Sequence, residues 1–501
     1  MAKCIMIQGV CSSAGKSFIT AGLCRIFKQD GFKTAPFKSQ NMALNSYVGL
    51  DGCELGRAQA MQAECAGIIP DARMNPILLK PTSDQGSQVI INGASIGNMS
   101  AGEYFARKKE FSRKVLEAYH SLAAEYDLIV IEGAGSPAEI NLRENDIVNM
   151  GLAEMVDAPV LLAGDIDRGG VFASLYGTAA LLAANERARI KGVLINKFRG
   201  NAELLAPGLK MFEDLAHIPV VGVIPFIDIT LDDEDSLAER LTPTHTAKTI
   251  DIAVIRLPKI SNFTDFNALE NIPDVSLRYV AAVNDFKEPD LVIIPGSKSV
   301  MADLAWLRQN GLAAKIEEYA RTQKPIIGIC GGYQILGQSV KDPLGVEALG
   351  EVRGLGLLGH ETIFESAKVL TQVTGHFGEV GGVLSALSRQ PFSGYEIHMG
   401  RSVFAAEEDA PLISCRSEEG IHLSGSQNGS IYGCYAHGLF DSGSVREGLL
   451  RSLCQMKGLP YNYPAFIDTN IQKELEYDKL ADHLRKSLDM KAVYEICGVK
   501  K

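Results

Sequence analysis

Residues 4–17 read CIMIQGVCSSAGKS. A short apolar run, typical of a buried β-strand, leads into small residues between Gly9 and Gly15, and a helical pattern follows from Lys16 and Ser17. Small residues let backbone N–H groups turn inward around phosphates, and the N-terminus of the following helix adds its positive end. The stretch therefore predicts a P-loop nucleotide site, in which Lys16 reaches the β- and γ-phosphates and Ser17 holds Mg²⁺.

The rest of the N-terminal half repeats the order of strand and helix. We predict strands at 4–8, 34–37, 128–131, 159–163, 192–195 and 220–224, and helices at 17–29, 103–125 and 202–216. Strands that alternate with helices indicate a mostly parallel sheet covered by helices on its faces.

A second series of strands follows a change in composition. An acidic run at 231–235 and a polar, proline-containing stretch at 242–246 predict a linker near 231–249. We predict further strands at 252–257, 291–294 and 326–329, a shorter and more β-like pattern after about residue 350, and helices at 443–457 and 471–490. The resulting domains are 1–235 and 250–455, with a helical tail at 456–501. In this tail Ile471, Leu475, Leu480, Leu484 and Leu488 lie near helical spacing, which predicts one packed face.

Composition excludes several classes of protein. The chain has 501 residues, 46% of them hydrophobic and 22% charged, with a formal net charge of −11. These values are typical of a folded globular protein and do not favour nucleic-acid or anionic-membrane partners. The ten cysteines contain no Cys-x-x-Cys, which argues against a structural zinc site. Since we find neither a signal peptide nor a long apolar span, we expect a cytoplasmic protein with reduced thiols.

Polar residues follow the predicted strands of the first half. Glu132 ends the strand at 128–131, where a carboxylate suits Mg²⁺, and Asp51 on a turn is a second candidate metal ligand. Asn196 and Lys197 end the strand at 192–195, and the Asn196 amide could read a purine edge. Asp165 closes the strand before it and could contact phosphate, metal or substrate.

The second half contains a candidate nucleophile. Residues 325–334 read PIIGICGGYQ, which predicts a strand, a tight turn at Cys330 and the start of a helix. Such an elbow exposes a nucleophile above the sheet, and a thiol nucleophile needs a base. His437 and His398 both lie in motifs dense in glycine and aromatic residues, and we favour His437. The turn at 295–299 could supply oxyanion-hole N–H groups.

Together these motifs resemble a known family. The five-residue spacing between Gly9 and Gly15 is similar to that of the dethiobiotin synthetase-like P-loop proteins, whereas the common P-loop has four. The Cys330 elbow and the His437 motif resemble the class I glutamine amidotransferases. The combination, in this order, resembles the glutamine-hydrolysing corrinoid amidotransferases, and within them the cobyric acid synthase family. That closer resemblance rests on the stretches 36–46, 133–142, 165–172, 260–266 and 395–400.

The resemblance implies a fold class and a reaction. The fold is α/β: an N-terminal P-loop, dethiobiotin synthetase-like parallel-sheet domain and a C-terminal class I glutamine amidotransferase-like α/β domain. The implied reaction uses ATP, Mg²⁺ and glutamine to amidate the b, d, e and g carboxylates of adenosylcobyrinic acid a,c-diamide, a small-molecule corrinoid that carries its own cobalt. By the same resemblance Cys330 attacks glutamine and His437 is its general base and acid. The resemblance also implies that Lys38 assists the binding of phosphate or of substrate.

The sequence departs from the family pattern at one position, and it leaves two alternative functions open. Class I glutaminases usually carry His-x-Glu, but Leu439 stands at the glutamate position, so the residue that orients His437 is unassigned and Glu396 is a candidate. The nearest alternative is a cobyrinic acid a,c-diamide synthase, although the stretch 133–139 favours the b,d,e,g enzyme. The other is a partition-type ATPase switch fused to a non-catalytic binding domain. Residues 10–14 lack the extra lysine of such switches.

Overall fold

A computed structural model of the chain describes residues 2–82, 86–229, 231, 248–404, 409–417 and 420–500. The chain forms two compact units. Residues 1–42, 54–231 and 473–501 form the first, and residues 43–53 and 232–472 form the second. Most of the predicted linker, residues 232–247, lies outside the described residues. Among the helices that the structure describes, none has the length and apolar character needed to span a bilayer.

The elements of the N-terminal half are, in chain order, β1 (Lys3–Gly9), α1 (Lys16–Gln29), β2 (Thr34–Phe37), β3 (Gln40–Met42), β4 (Ser46–Val48), β5 (Glu54–Gly56), α2 (Arg57–Ala66), β6 (Ile77–Pro81), β7 (Gly86–Ile91), β8 (Ala94–Ser100), α3 (Ala101–Ala106), α4 (Lys108–Glu125), β9 (Leu128–Glu132), α5 (Met150–Met155), β10 (Val160–Asp165), α6 (Val171–Leu181), α7 (Ala184–Arg187), β11 (Ile190–Phe198), α8 (Ala202–Ala216) and β12 (Val220–Pro225). Short 3₁₀ turns lie at Ala72–Met74 and Ile140–Asn145.

The first unit is built on a six-stranded sheet in the order β12-β11-β10-β1-β9-β2. Each pair of neighbours in it is parallel, as the sequence predicts. The central strand β1 is buried, with residues 5–7 fully inaccessible, and two apolar clusters cover the sheet. Because the strands are parallel, their carboxyl ends meet at one edge, where ligands of open α/β sheets bind. Lys38 and the residues at the ends of β1, β9, β10 and β11 therefore gather there.

A smaller sheet in this unit was not predicted. Strands β3, β6, β7 and β8 pair in that order, mostly antiparallel, between residues 40 and 100. Strand β8 is largely exposed, so its sequence lacks the apolar alternation that would reveal it.

The elements of the C-terminal half are, in chain order, β13 (Ile250–Ile255), α9 (Asn267–Glu270), β14 (Val275–Val280), α10 (Val283–Phe286), β15 (Leu291–Ile294), α11 (Val300–Gln309), α12 (Leu312–Ala320), β16 (Ile326–Ile329), α13 (Gly331–Leu336), β17 (Ser339–Asp342), β18 (Gly350–Arg353), β19 (His360–Phe377), β20 (Pro391–Phe404), β21 (Ile413–Ser417), β22 (Gly420–Ser424), β23 (Ser426–Asn428), β24 (Ile431–Cys434), β25 (Ala436–His437), α14 (Gly443–Met456), α15 (Thr469–Ser487) and α16 (Met490–Cys497). Further 3₁₀ turns lie at Phe263–Phe266, Gly382–Leu387 and Leu439–Asp441.

The second unit carries two sheets. The first has the order β14-β13-β15-β16-β24-β23, parallel except for the edge strand β23. The second has the path β18-β17-β19-β20-β25, with the hairpin β21–β22 paired to β19. We expected short strands after residue 350, and this prediction is wrong for two of them. Strand β19 has 18 residues and β20 has 14. Both have mixed burial, which hides their length from a search for apolar runs.

The tail does not form a domain of its own. Of the predicted tail, residues 456–472 belong to the second unit. Residues 473–501 belong to the first unit, where they pack against α1 and β1. Leu480, Leu484 and Leu488 are buried as predicted, but Ile471 and Leu475 are exposed. At about 100° per residue, Ile471 lies roughly 180° around the helix from Leu480, so the five residues cannot share one face.

We expect the tail to stabilise the P-loop unit through the buried face of α15. Leu484 is 1% exposed, and Gly22 of α1 lets it approach so closely that a Cβ there would lie 2.3 Å from Leu484 Cδ1. Leu484→Ala should cost about 2–5 kcal/mol of the free energy of unfolding, because it leaves a cavity. Leu475→Ala, at a position 61% exposed, should change it by no more than about 0.5 kcal/mol. Denaturant unfolding of the full chain measures both, and equal effects would contradict the packing.

Candidate active sites

The P-loop of the first unit joins β1 to α1. Gly15 has φ +94°, a conformation that favours glycine, and a Cβ at this position would lie 2.0 Å from Asn196 Nδ2. Lys16 Nζ donates to the backbone oxygens of Cys11 at 3.0 Å and Gly135 at 3.1 Å. Lys16, the predicted phosphate-binding lysine, therefore connects the P-loop to the segment that follows β9.

A buried carboxylate lies beside this loop. Glu132, 1% exposed, accepts hydrogen bonds from Ser17 Oγ at 2.9 Å, Lys38 Nζ at 3.0 Å and Gln62 Nε2 at 2.5 Å. The Lys38 ammonium compensates the charge that burial would otherwise penalise. A hydroxyl and a carboxylate that converge in this way fit the hard oxygen ligands that Mg²⁺ prefers. The structure thus brings together Ser17, Glu132 and Lys38 of the predicted residues and adds Gln62.

The other predicted residues of this unit take different positions. Asn196 Nδ2 donates to Ala14 O at 2.9 Å, so in this structure the amide braces the P-loop, and its role as a purine reader stays a prediction. Lys197 Nζ donates to Asp165 Oδ2 at 2.9 Å. Asp51 belongs to the other unit, is exposed and accepts the N–H of Cys53 at 3.0 Å, so its assignment to the metal also stays a prediction.

In the second unit, Cys330 lies at the turn between β16 and α13. Its backbone has φ +53° and ψ −108°, a strained conformation that costs about 1–3 kcal/mol and is common at functional sites. The glycines around it allow the turn, because a Cβ at Gly332 would lie 1.9 Å from Ile294 O. The Cys330 thiol donates to Ile397 O at 3.3 Å. The geometry is that of the predicted nucleophile elbow.

The turn predicted to form an oxyanion hole lies against this elbow. It follows β15, and a Cβ built at Gly331 would lie 2.7 Å from Ser297 N. Its conformation is fixed by Ser297 Oγ, which donates to Asp303 Oδ2 at 2.6 Å and accepts the N–H of Ser299 at 2.9 Å. The assignment of an oxyanion hole to this turn remains a prediction.

His437 lies at the end of β25 with no accessible surface. Its Nδ1 is 2.7 Å from Asp265 Oδ2, and Asp265 Oδ1 accepts the N–H of Gly438 at 3.0 Å. The Tyr395 ring stacks on the imidazole at 5.1 Å between centroids. Asp265 occupies Nδ1, and Cys330 lies close enough to His437 to raise the pKa of the imidazole. The three residues form a Cys–His–Asp triad.

The charges of the triad control the proton on His437. Burial lowers the pKa of the imidazole, but the Asp265 carboxylate and then Cys330 more than offset this effect and raise the pKa to about 10. His437 is therefore protonated at neutral pH, as required of a group that donates a proton to a leaving amine.

Sequence reasoning missed the residues that orient His437. Glu396 Oε1 accepts from Ser424 Oγ at 3.1 Å, and the carboxylate at His437 Nδ1 is that of Asp265, not of Glu396. Asp265 takes the role from a 3₁₀ turn 172 residues earlier in the chain. Asn262 Nδ2 lies 3.5 Å from His437 Nε2, and Asn262 Oδ1 accepts the N–H of Ser46 at 3.1 Å. A signal for Asp265 existed, because it is the one acid in the stretch 260–266, which reads ISNFTDF.

We expect Asp265→Asn to lower the glutaminase turnover number about 10- to 100-fold. An amide that keeps its bond to Gly438 N–H turns its NH₂ group towards Nδ1 and favours the wrong tautomer of His437. The loss should be smaller than in a serine triad, because a thiol ionises more readily than a hydroxyl. Steady-state glutamine hydrolysis measures it, and Asp274→Asn, on an exposed loop of the same unit, is the control. An unchanged turnover number would show that Asp265 does not position the base.

Family models match both halves of the chain. A model of the CobQ/CobB/MinD/ParA nucleotide binding domain matches residues 5–236, and a model of the CobB/CobQ-like glutamine amidotransferase domain matches residues 251–445. Among solved structures, the chain is similar to PurLQS from Thermotoga maritima, with a TM-score of 0.31 and 19% identity over 42% of this chain and 99% of that one.

Curated proteins match along the full length. A cobyric acid synthase from Ruminiclostridium cellulolyticum is 56% identical, over 99% of this chain and 97% of its own. Proteins of the same name from Lachnoclostridium phytofermentans and Clostridium botulinum are each 53% identical, over at least 99% of both chains.

Proposed function

The chain belongs to the cobyric acid synthase family, and we propose from this membership that it amidates the b, d, e and g carboxylates of adenosylcobyrinic acid a,c-diamide. It is a glutamine-dependent amidotransferase of cobalamin biosynthesis, with an ATP-using P-loop domain. The observation that carries the proposal is the presence in one chain of a P-loop beside a buried carboxylate and of a Cys–His–Asp triad. The P-loop site suits activation of a carboxylate by ATP, and the triad suits release of ammonia from glutamine.

The triad carries out the glutaminase half-reaction. Cys330 Sγ attacks the side-chain amide carbon of glutamine, and His437 donates a proton to the departing nitrogen, which leaves as ammonia. Water, deprotonated by His437, then cleaves the thioester and releases glutamate. Asp265 holds the imidazole in position through both steps. The proposal assigns stabilisation of the oxyanion to the turn at 295–299, and the closeness of this turn to the elbow supports it.

The P-loop site carries out the activation half-reaction. A carboxylate is a poor electrophile, so phosphoryl transfer from ATP converts it to an acyl phosphate, and ammonia displaces the phosphate. Lys16 neutralises charge that develops on the transferred group, and Lys38, buried next to Glu132, is placed for the same role or for the substrate carboxylate. Ser17 and Glu132 would hold Mg²⁺, which supplies charge neutralisation for the phosphates.

We also propose a cytoplasmic location. None of the ten cysteines, all of which the structure describes, is in a disulfide, and most are buried. Proteins of reducing compartments keep their thiols in this state.

The choice of acceptor tests the proposed function. The protein is incubated with glutamine, MgATP and one corrinoid, either adenosylcobyrinic acid or its a,c-diamide, and the products are analysed by mass spectrometry and fragment assignment. We expect four successive amidations of the a,c-diamide, at b, d, e and g. Amidation of adenosylcobyrinic acid at a and c, with none of the a,c-diamide, would identify a cobyrinic acid a,c-diamide synthase instead.

A further inference from the structure

A group of metal-type donors lies on the second sheet of the second unit, outside the triad. Glu396 on β20, Cys415 on β21 and His422 on β22 each offer one ligand atom, and these atoms all lie within 4.8 Å of one another. Cys415 and His422 are direct cross-strand partners in the hairpin β21–β22, which places both side chains on one face. The pairing of strands, not the spacing along the chain, assembles the group.

The distances in this group are too long for hydrogen bonds. His422 Nε2 lies 3.7 Å from Glu396 Oε2, and His398 Nε2 lies 3.9 Å from the same oxygen. Hydrogen bonds between nitrogen and oxygen span about 2.7–3.2 Å. An imidazole nitrogen and a carboxylate oxygen on a tetrahedral zinc ion, each about 2.0–2.2 Å from the metal, lie roughly 3.3–3.6 Å apart. The 3.7 Å between His422 Nε2 and Glu396 Oε2 is close to this separation, so a small shift of the exposed His422 side chain would bring the pair to it.

Neighbouring groups hold the carboxylate in the way that metal ligands are commonly held. Glu396 Oε1 accepts from Ser424 Oγ at 3.1 Å, which leaves Oε2 directed at the group. The ring of His398 is fixed by its Nδ1, 3.0 Å from Gly400 O, and by stacking on Tyr435 at 3.7 Å. Such outer partners orient ligands and increase metal affinity.

We propose that Glu396, Cys415 and His422 form a zinc site with one open coordination position. Thiolate, imidazole and carboxylate are the donors of catalytic-type zinc sites, which have three protein ligands, and the thiolate disfavours Mg²⁺ and Ca²⁺. Cys415 and Glu396 are buried, whereas the His422 side chain is 41% exposed, so an ion can enter from its side. On binding, the Cys415 thiol loses its proton to solvent. The absence of Cys-x-x-Cys argued against a structural zinc motif, but it does not exclude ligands brought together by strand pairing.

Zinc binding to the purified full-length chain tests the proposal. Zinc is titrated against a chromophoric chelator, with Mg²⁺ in excess to occupy the hard-oxygen site at Glu132, and Co²⁺ replaces zinc in a parallel titration. We expect one zinc per chain and a thiolate-to-cobalt charge-transfer band. Cys415→Ser and His422→Ala should each weaken zinc at least about 100-fold and remove that band. Zinc should also raise the midpoint of thermal unfolding of the wild type and not of these variants, because it ties the hairpin β21–β22 to β20.

Matched variants separate this site from others. Cys53→Ser changes a partly exposed thiol of the same unit, His376→Ala changes an exposed histidine on β19, and both should bind zinc like the wild type. Cys330→Ser should also retain it. Loss of zinc in Cys330→Ser but not in Cys415→Ser would place the ion at the triad and overturn the proposal. Zinc binding that His422→Ala leaves unchanged would also overturn it, and so would no binding to the wild type. The exposed position of His422 makes this variant the one least able to disturb folding.

Discussion

Cys330→Ala should abolish glutamine-dependent amidation and leave amidation with ammonium intact. Loss of a catalytic nucleophile should lower the glutamine-dependent rate at least about 1,000-fold. Alanine keeps the Cβ, so it can occupy the strained backbone at φ +53° as cysteine does, and the fold should be unchanged. Ammonium bypasses the triad and supplies nitrogen directly to the activated carboxylate. Amide formation on the corrinoid is measured by mass spectrometry with each nitrogen source.

The control for this variant is Cys53→Ala, which removes a partly exposed thiol of the same unit and should behave like the wild type. Equal loss with glutamine and with ammonium would mean that Cys330 serves the amidation step or the fold. An unchanged rate with glutamine would mean that another residue is the nucleophile.

Lys16→Ala should lower amidation about 100- to 1,000-fold with either nitrogen source, while glutamine hydrolysis by the triad persists. The Lys16 ammonium lies in the P-loop between the oxygens of Cys11 and Gly135, where a preorganised positive charge stabilises the charge that develops on a transferred phosphoryl group. Removal of the Lys16 ammonium therefore removes an electrostatic stabilisation of the transition state that water cannot replace. ATP hydrolysis and amide formation are measured together, and glutaminase activity is measured separately.

Lys28→Ala is the matched control, because Lys28 is an exposed lysine near the end of the same helix α1. It should leave both half-reactions at the wild-type rate. If Lys16→Ala reduced amidation with glutamine but not with ammonium, the P-loop would not serve carboxylate activation, and the assignment of roles to the two units would be wrong.

Most strands of the two parallel sheets were predictable because they are buried on both faces, although β14 was not predicted. The strands at 34–37, 291–294 and 326–329 have the predicted bounds, and the others differ by a few residues. Continuous apolar runs that end in polar residues indicate such strands. Strand β8 and the long pair β19–β20 were misjudged, because their mixed burial leaves no continuous apolar run.

Site residues within local motifs could be predicted, whereas those that depend on tertiary packing could not. Lys16, Ser17, Glu132 and Cys330 lie in local motifs, where strand, turn and helix follow one another, so their positions could be predicted. Asp265 could not be assigned, because its contact with His437 depends on packing between segments that are distant in sequence. Gln62 reaches Glu132 from α2 in the same way, across 70 positions in the sequence.

Two segments show where chain order misled the prediction of domains. Residues 43–53 leave the first unit and join the second, where Val48 is buried against Tyr395 and Ile397. The C-terminal residues return to the first unit, where Arg25 of α1 contacts Asp478 at 2.8 Å and Glu474 at 2.8 Å. Tertiary packing, and not the order of the chain, assigns each segment to its unit.

We expect nitrogen released from glutamine at Cys330 to be joined to carboxylates activated by ATP. The most direct test incubates the protein with MgATP, adenosylcobyrinic acid a,c-diamide and glutamine labelled with ¹⁵N in its amide, in the presence of unlabelled ammonium at a lower concentration. Mass spectrometry then follows the corrinoid. We predict four amide groups that carry ¹⁵N, and their loss in Cys330→Ala in favour of slower incorporation of unlabelled nitrogen. Hydrolysis of glutamine and ATP by the wild type with no change in the mass of the corrinoid would contradict the account.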